Sequence, residues 1–188
     1  LESADSPAII AGLGVVQSGA VEEVKSLAEQ LNAPVANTIW HNDTFPQSHP
    51  LGVGPLGFQG SKAAMELVSE ADLILAVGSR MNGFGLLPSR GLDWYPEDAS
   101  VIQIDLDPSQ LGRTKPLEVG LVGDAKRTTA RLVERLEGRP GTVGAPSERF
   151  EEVEQRYQDW MGELEEMSMT DQLPIHPRRA LWDISRAL

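Results

Sequence analysis

Small, acidic and basic residues gather at five points along the chain: Gly12 and Gly14; Asn37 and Thr38; Gly78, Ser79 and Arg80; Asp105 and Asp107; Gly123 and Asp124. Each group closes a short apolar run. Glycine lets backbone come close to a phosphate or a ribose, and successive backbone N–H groups can cradle an anion. An acidic residue at the end of a strand accepts from ribose hydroxyls. An arginine just past a strand-end glycine is placed for a phosphate. Taken together, the five groups describe a crevice for an adenine nucleotide, with the diphosphate near Gly12, Gly14 and Arg80 and the sugar nearer Asp105. Taken singly, each has a plainer reading. "GLG" is a strand-to-helix turn that lacks the third glycine of a dinucleotide fingerprint. Asp124 is a helix cap, and Arg80 is a surface arginine. Asp105 and Asp107 fall on opposite faces of an extended strand, so they do not form an acid–base pair.

His41 and His49 flank Asp43 in a proline-rich stretch, "HNDTFPQSHP". Their spacing is not that of a zinc site, and ordinary loop histidines are expected. No serine sits in a nucleophile elbow, and no lysine stands out as a catalyst. No residue of this chain is therefore assigned a catalytic or metal-binding role.

Regular elements must bring the five groups together. "PAIIA", "APVANT", "DLILAVGS", "SVIQIDLD" and "EVGLVGD" read as short buried strands. Val21, Val24, Leu27, Ala28 and Leu31 share one helical face. Ser61 is placed to cap a helix over "KAAMELVSEA", and Asp124 one over "AKRTTARLVERL". The stretch from His41 to Gly60 reads as one long loop over the ligand end of the sheet. Strands alternating with helices predict an α/β fold: a doubly wound, Rossmann-like parallel sheet of about six strands with helices on both faces. Residues 1–138 form that domain. Residues 139–188 are a Gly/Pro-rich linker, an acidic helix "ERFEEVEQRYQDW" with a solvated face, and a last helix after Pro177. That tail reads as an outrigger or a lead into a further domain, and both ends of the chain read as cut from something longer.

The 188 residues carry 28 acidic and 16 basic side chains, a net charge of -12. That balance argues against a nucleic-acid partner. No apolar run approaches the roughly 20 residues needed to span a bilayer, so no membrane partner is expected. There is no cysteine and the start has no signal-peptide pattern. A cytoplasmic location is expected.

The strand order, "GLG", "AVGSR", "QIDLDPSQLG" and "VGDAK" resemble the central domain of thiamine-diphosphate-dependent enzymes of the acetolactate synthase-like family. The stretch "HNDTFPQSHPLGVGPLGFQGSKAAM" resembles the sulfoacetaldehyde acetyltransferase branch most closely. That resemblance implies a parent converting sulfoacetaldehyde and phosphate to acetyl phosphate and sulfite. Thiamine diphosphate and Mg2+ would be held by N-terminal and C-terminal domains outside this chain, and the parent would be a homo-oligomer. The isolated chain would be inactive. In flavin-containing relatives this domain holds FAD. The resemblance carries a cofactor-binding role to Gly12, Gly14, Thr38, Gly57, Gly60, Gly78, Arg80, Asp105 and Asp124, for FAD or another adenine nucleotide. Two departures from the flavin pattern stand out: "GFQG" at residues 57–60 in place of "GMHG", and "RMNGFG" where an acidic pair follows the arginine. An acetolactate synthase-like parent, or a non-catalytic nucleotide-binding scaffold, are the alternatives.

Overall fold

The computed structural model describes residues 1, 4–58, 60–83, 85, 95–137 and 148–187. Six strands form one all-parallel sheet: β1 (Pro7–Ala11), β2 (Val35–Asn37), β3 (Gly52–Pro55), β4 (Leu73–Val77), β5 (Ser100–Asp105) and β6 (Val119–Val122). Their spatial order is β3-β2-β1-β4-β5-β6. Ile9 lies between Val35 and Leu75, and Leu75 faces Ile102 in turn. Every residue of β1 and β4 is buried, which a strand achieves only when both faces of the sheet are covered. This is the doubly wound α/β arrangement that the alternating pattern predicts.

The helices form two groups. α1 (Leu13–Ser18), α2 (Val21–Leu31) and α4 (Ala125–Leu136) pack together, and α3 (Lys62–Ser69) packs with α5 (Glu148–Ser168). In α2 the predicted stripe is the buried one, with Val24, Leu27 and Ala28 inaccessible. Ser61 caps α3 by accepting from Ala64 N at 3.2 Å, and Asp124 caps α4 by accepting from Arg127 N at 3.0 Å. α6 (Pro177–Ala187) follows Ile175 and His176 and packs on α5.

Two expectations change. The long loop expected after β2 contains β3, an edge strand paired with β2. Its sequence, "GVGP", hides it, because glycine and proline demote a strand and are tolerated only at an edge or a bulge. Both conditions hold here: the register shifts between Val35 and Ala36, and Gly54 adopts φ +87°. The acidic helix also has an inner face. Val153 and Trp160 are buried, and with Tyr157 they form an i, i+4, i+7 stripe that docks on α3 and β3. Lys62–Glu163 at 2.6 Å and Arg156–Glu70 at 2.7 Å border that contact. The expected linker and the boundary at residues 138/139 lie outside the described residues.

Candidate functional site

The carboxyl ends of β1, β2, β4, β5 and β6 open into one crevice of about 530 Å³. It lies where the strand order departs from β1 in both directions, the place where open α/β sheets bind ligands. Its size falls within the roughly 300–1,000 Å³ of small-molecule sites. Gly12, Gly14, Thr38, Gly78, Arg80, Asp105 and Asp124 all line it.

The seam between β1 and β4 is backbone on backbone. Gly12 N donates to Val77 O at 2.9 Å, and Gly14 N donates to Gly78 O at 3.0 Å. A Cβ on Gly14 would stand 2.7 Å from Gly78 Cα, and one on Gly78 would stand 2.7 Å from Gly14 Cα. Gly78 also has φ +57°, a conformation glycine adopts without steric cost. These glycines let two turns meet. The meeting uses both N–H groups, so neither amide is available to the anion the sequence placed beside them.

On the β2 side the wall is Thr38 to His41. Trp40 is 79% exposed at φ +71°. Asn37 and Thr44 are fully buried beneath it and bonded to each other at 2.9 Å. His49 lies away from the crevice. Its Nδ1 accepts from Leu51 N at 3.2 Å, so Nε2 carries the proton and donates to Glu29 Oε1 at 3.1 Å. Its ring meets Phe45 edge-on at 5.2 Å. Through these contacts it packs the loop.

The third wall is acidic. The chain bends after Asp105, so Asp105 and Asp107 face the same crevice, contrary to the alternation of an unbroken strand. Asp105 Oδ1 accepts from Asp107 N, and Asp107 Oδ1 accepts from Ser109 N, both at 2.9 Å. Bonds from Ser109, then from Gln110, hold the Asp107 carboxyl below its usual range, and the charge of Arg80 adds a smaller pull. Arg80 is the only lysine or arginine lining the crevice among the described residues.

Gly57 and Gly60 are placed elsewhere. Gly57 has φ +89°, and a Cβ there would stand 2.9 Å from Gly85 O. A Cβ on Gly60 would collide with Pro55 O. Both turn the chain from β3 into α3, while Gln59 and Phe84 of the quoted motifs lie outside the described residues. Sequence reasoning passed over Gln103. It is buried in β5, donates to Ser79 O at 3.0 Å and Gln110 O at 3.2 Å, and accepts from Gly112 N at 3.0 Å. One polar residue inside "VIQI" was its signal, since a buried amide must find partners.

One cation amid three carboxylates suits a ligand with one compact anionic part and several hydroxyls. Among the described residues no three His, Asp or Glu side chains form a metal cluster, and no helix is long and apolar enough to cross a membrane.

The family model described as "Thiamine pyrophosphate enzyme, central domain" matches residues 1–132. The chain is 44% identical to a sulfoacetaldehyde acetyltransferase of Castellaniella defragrans, over all of this chain and 34% of that protein. It is 45% identical to one from Roseovarius nubinhibens, over 89% of this chain and 28% of that one. An acetolactate synthase large subunit of Corynebacterium glutamicum is 37% identical over 70% of this chain and 20% of its own length. An X-ray structure from Mycobacterium smegmatis, provisionally assigned as a thiamin diphosphate-dependent enzyme, superposes with a TM-score of 0.59 at 30% identity. The match covers 76% of this chain and 27% of that one. The chain thus spans about a third of the length of the curated relatives it matches.

Proposed function

The chain belongs to the thiamine pyrophosphate enzymes as their central domain, and on that premise we propose that its parent is a sulfoacetaldehyde acetyltransferase acting in the cytoplasm. The observation that carries this is 44% identity to such an enzyme across the whole chain, against 37% over 70% of the chain for an acetolactate synthase. The parent takes sulfoacetaldehyde and phosphate to acetyl phosphate and sulfite. Thiamine diphosphate with Mg2+ supplies the carbanion chemistry when bound, in flanking domains of a homo-oligomer. Residues 1–138 are the central domain and 139–188 lead onward. The test is product analysis with the parent enzyme. Acetyl phosphate and sulfite from sulfoacetaldehyde are expected, and acetolactate from pyruvate as the sole product overturns the reading. The chain by itself is expected to form neither.

The crevice is the candidate nucleotide site. What supports an adenine nucleotide, FAD among them, is the lining: Asp105, Thr38 and the seam glycines border the crevice, and a carboxylate at a strand end accepts from ribose hydroxyls. For the diphosphate, Arg80 is the one lysine or arginine in the lining among the described residues, and the amides of Gly12 and Gly14 are spent. Arg80→Ala is expected to weaken ADP and FAD by about 10- to 100-fold, from the ~1.5–3 kcal/mol typical of bonds to charged groups. Calorimetric titration reads this, and equal binding by the variant removes the phosphate from Arg80. The spent amides favour a second reading, in which the domain is a scaffold that holds no nucleotide. Absence of binding by ADP and FAD at millimolar concentration would select it.

A further inference from the structure

A single directed chain of hydrogen bonds runs from the tail helix α5 to the carboxyl end of β1. Tyr157 Oη donates to Gln47 Oε1 at 3.2 Å. Gln47 Nε2 donates to Asn37 Oδ1 at 3.0 Å. Asn37 Nδ2 donates to Thr44 Oγ1 at 2.9 Å and to His41 O at 3.3 Å. The Thr44 hydroxyl shares its proton between His41 O at 3.0 Å and Ala11 O at 3.2 Å. The direction has no freedom. His41 O only accepts, so the Asn37 nitrogen must face it. Asn37 Oδ1 then only accepts, so Gln47 must turn its nitrogen inward and its oxygen toward Tyr157.

We propose that Tyr157 and Gln47 are positioning residues for the crevice: through Asn37, the docked tail helix fixes the turn at residues 38–41 that forms the β2 wall. The His41 carbonyl is the point of control, since both Asn37 and Thr44 hold it. Thr38, Ile39, Trp40 and His41 all line the crevice, and none of them touches α5 through any of these bonds. The amide relay thus links α5 to the ligand wall. Asn37 and Thr44 are fully buried, where a reversed amide would set acceptor against acceptor with no water to relieve it. The positioning stands on the hydrogen bonds alone. Its consequence for ligand affinity rests on the nucleotide reading above.

The experiment is residue-resolved hydrogen exchange on the chain, with Tyr157→Phe and Gln47→Glu beside wild type, followed by ADP titration. Tyr157→Phe keeps the ring and its packing. Gln47→Glu keeps the partner of Tyr157 but removes the donor to Asn37. The amides of His41 and Thr44 are expected to exchange about fivefold faster in Tyr157→Phe, the equivalent of one ordinary hydrogen bond. In Gln47→Glu they should exchange more than about tenfold faster, because an acceptor now faces an acceptor. Amides inside β1 and β4 should keep their rates, a pattern that global loss of stability would not produce. Unchanged rates at His41 and Thr44, or equal acceleration throughout the sheet, overturn the proposal. ADP affinity should fall by similar factors. A wild type that binds no ADP sinks the nucleotide reading, while the exchange rates still decide the positioning.

Discussion

The two sides of the crevice nearest β1 are built from different material. On the β4 side, backbone meets backbone: Gly12, Gly14 and Gly78 bring two turns together, and a Cβ on Gly14 or Gly78 would stand 2.7 Å from the Cα of the other. On the β2 side, side chains add to the backbone: Thr38 N donates to Ala11 O and His41 N to Thr38 O, both at 3.0 Å, and Asn37, Thr44 and Gln47 hold the same turn through their side chains. The backbone seam has no adjustable part and tolerates no added atom. The amide wall can be loosened one bond at a time, and from a distance.

The largest expected effect tests the seam. Gly78→Ala should lose about 3 kcal/mol in urea unfolding, combining a left-handed backbone penalty of roughly 1–2 kcal/mol with overpacking of roughly 1–3 kcal/mol. A loss below about 1 kcal/mol would show that the seam yields, and the contrast would fail. Next comes the wall. Asn37→Leu should cost about 2 kcal/mol, since it strands the Gln47 donor and removes one of the bonds to the His41 carbonyl, which Thr44 still holds. Addition of Gln47→Leu should recover part of that cost, because the stranded donor is then gone; no recovery would mean that Asn37 acts by packing alone. A smaller effect is expected at the acidic side, where Asp124→Ala should cost about 1 kcal/mol as a lost helix cap. Thermal unfolding reads it.

The smallest effects separate the two sides by pH. The Asp107 carboxyl lies below its usual range, so its contribution is present above roughly pH 4 and is lost as pH falls through its own lower value. The Tyr157 phenol is pushed up by burial. Its contribution is therefore whole below about pH 10 and is lost as pH rises through its own higher value. Amide chemical shifts should then move near Ser109 in acid and near His41 in alkali. Movement at both places in the same direction of pH would erase the distinction.

Much of the sheet was legible in the sequence because its inner strands are apolar runs closed by glycine. β1 and β4 are buried along their whole length, so composition alone marks them. β3 was not legible, because at an edge the glycines and the proline that deny a strand elsewhere are permitted. The site was legible as a set of positions. Gly12, Gly14, Thr38, Gly78, Arg80, Asp105 and Asp124 do converge on one crevice. What each glycine does there was not, because a glycine that admits a phosphate and one that admits another turn look alike in a sequence. Gly57 and Gly60 show the same ambiguity resolved away from the crevice. The Tyr157 relay was beyond reach, since Tyr157 and Gln47 are 110 residues apart and no pattern joins them.

β6 closes the sheet with valines that are open to solvent, Val119 and Val122, and among the described residues no strand pairs with its outer side. Such a margin is a template on which another chain can build. The strand is four residues long, and Glu118 and Asp124 stand just beyond its two ends. If two copies meet there head to tail, Glu118 of one approaches Asp124 of the other. If they meet in the same direction, each acid approaches its own twin. Either stacking sets like charges together, so repulsion guards this edge against the pairing of two copies. That guard weakens as salt shortens its reach to ~8 Å or less.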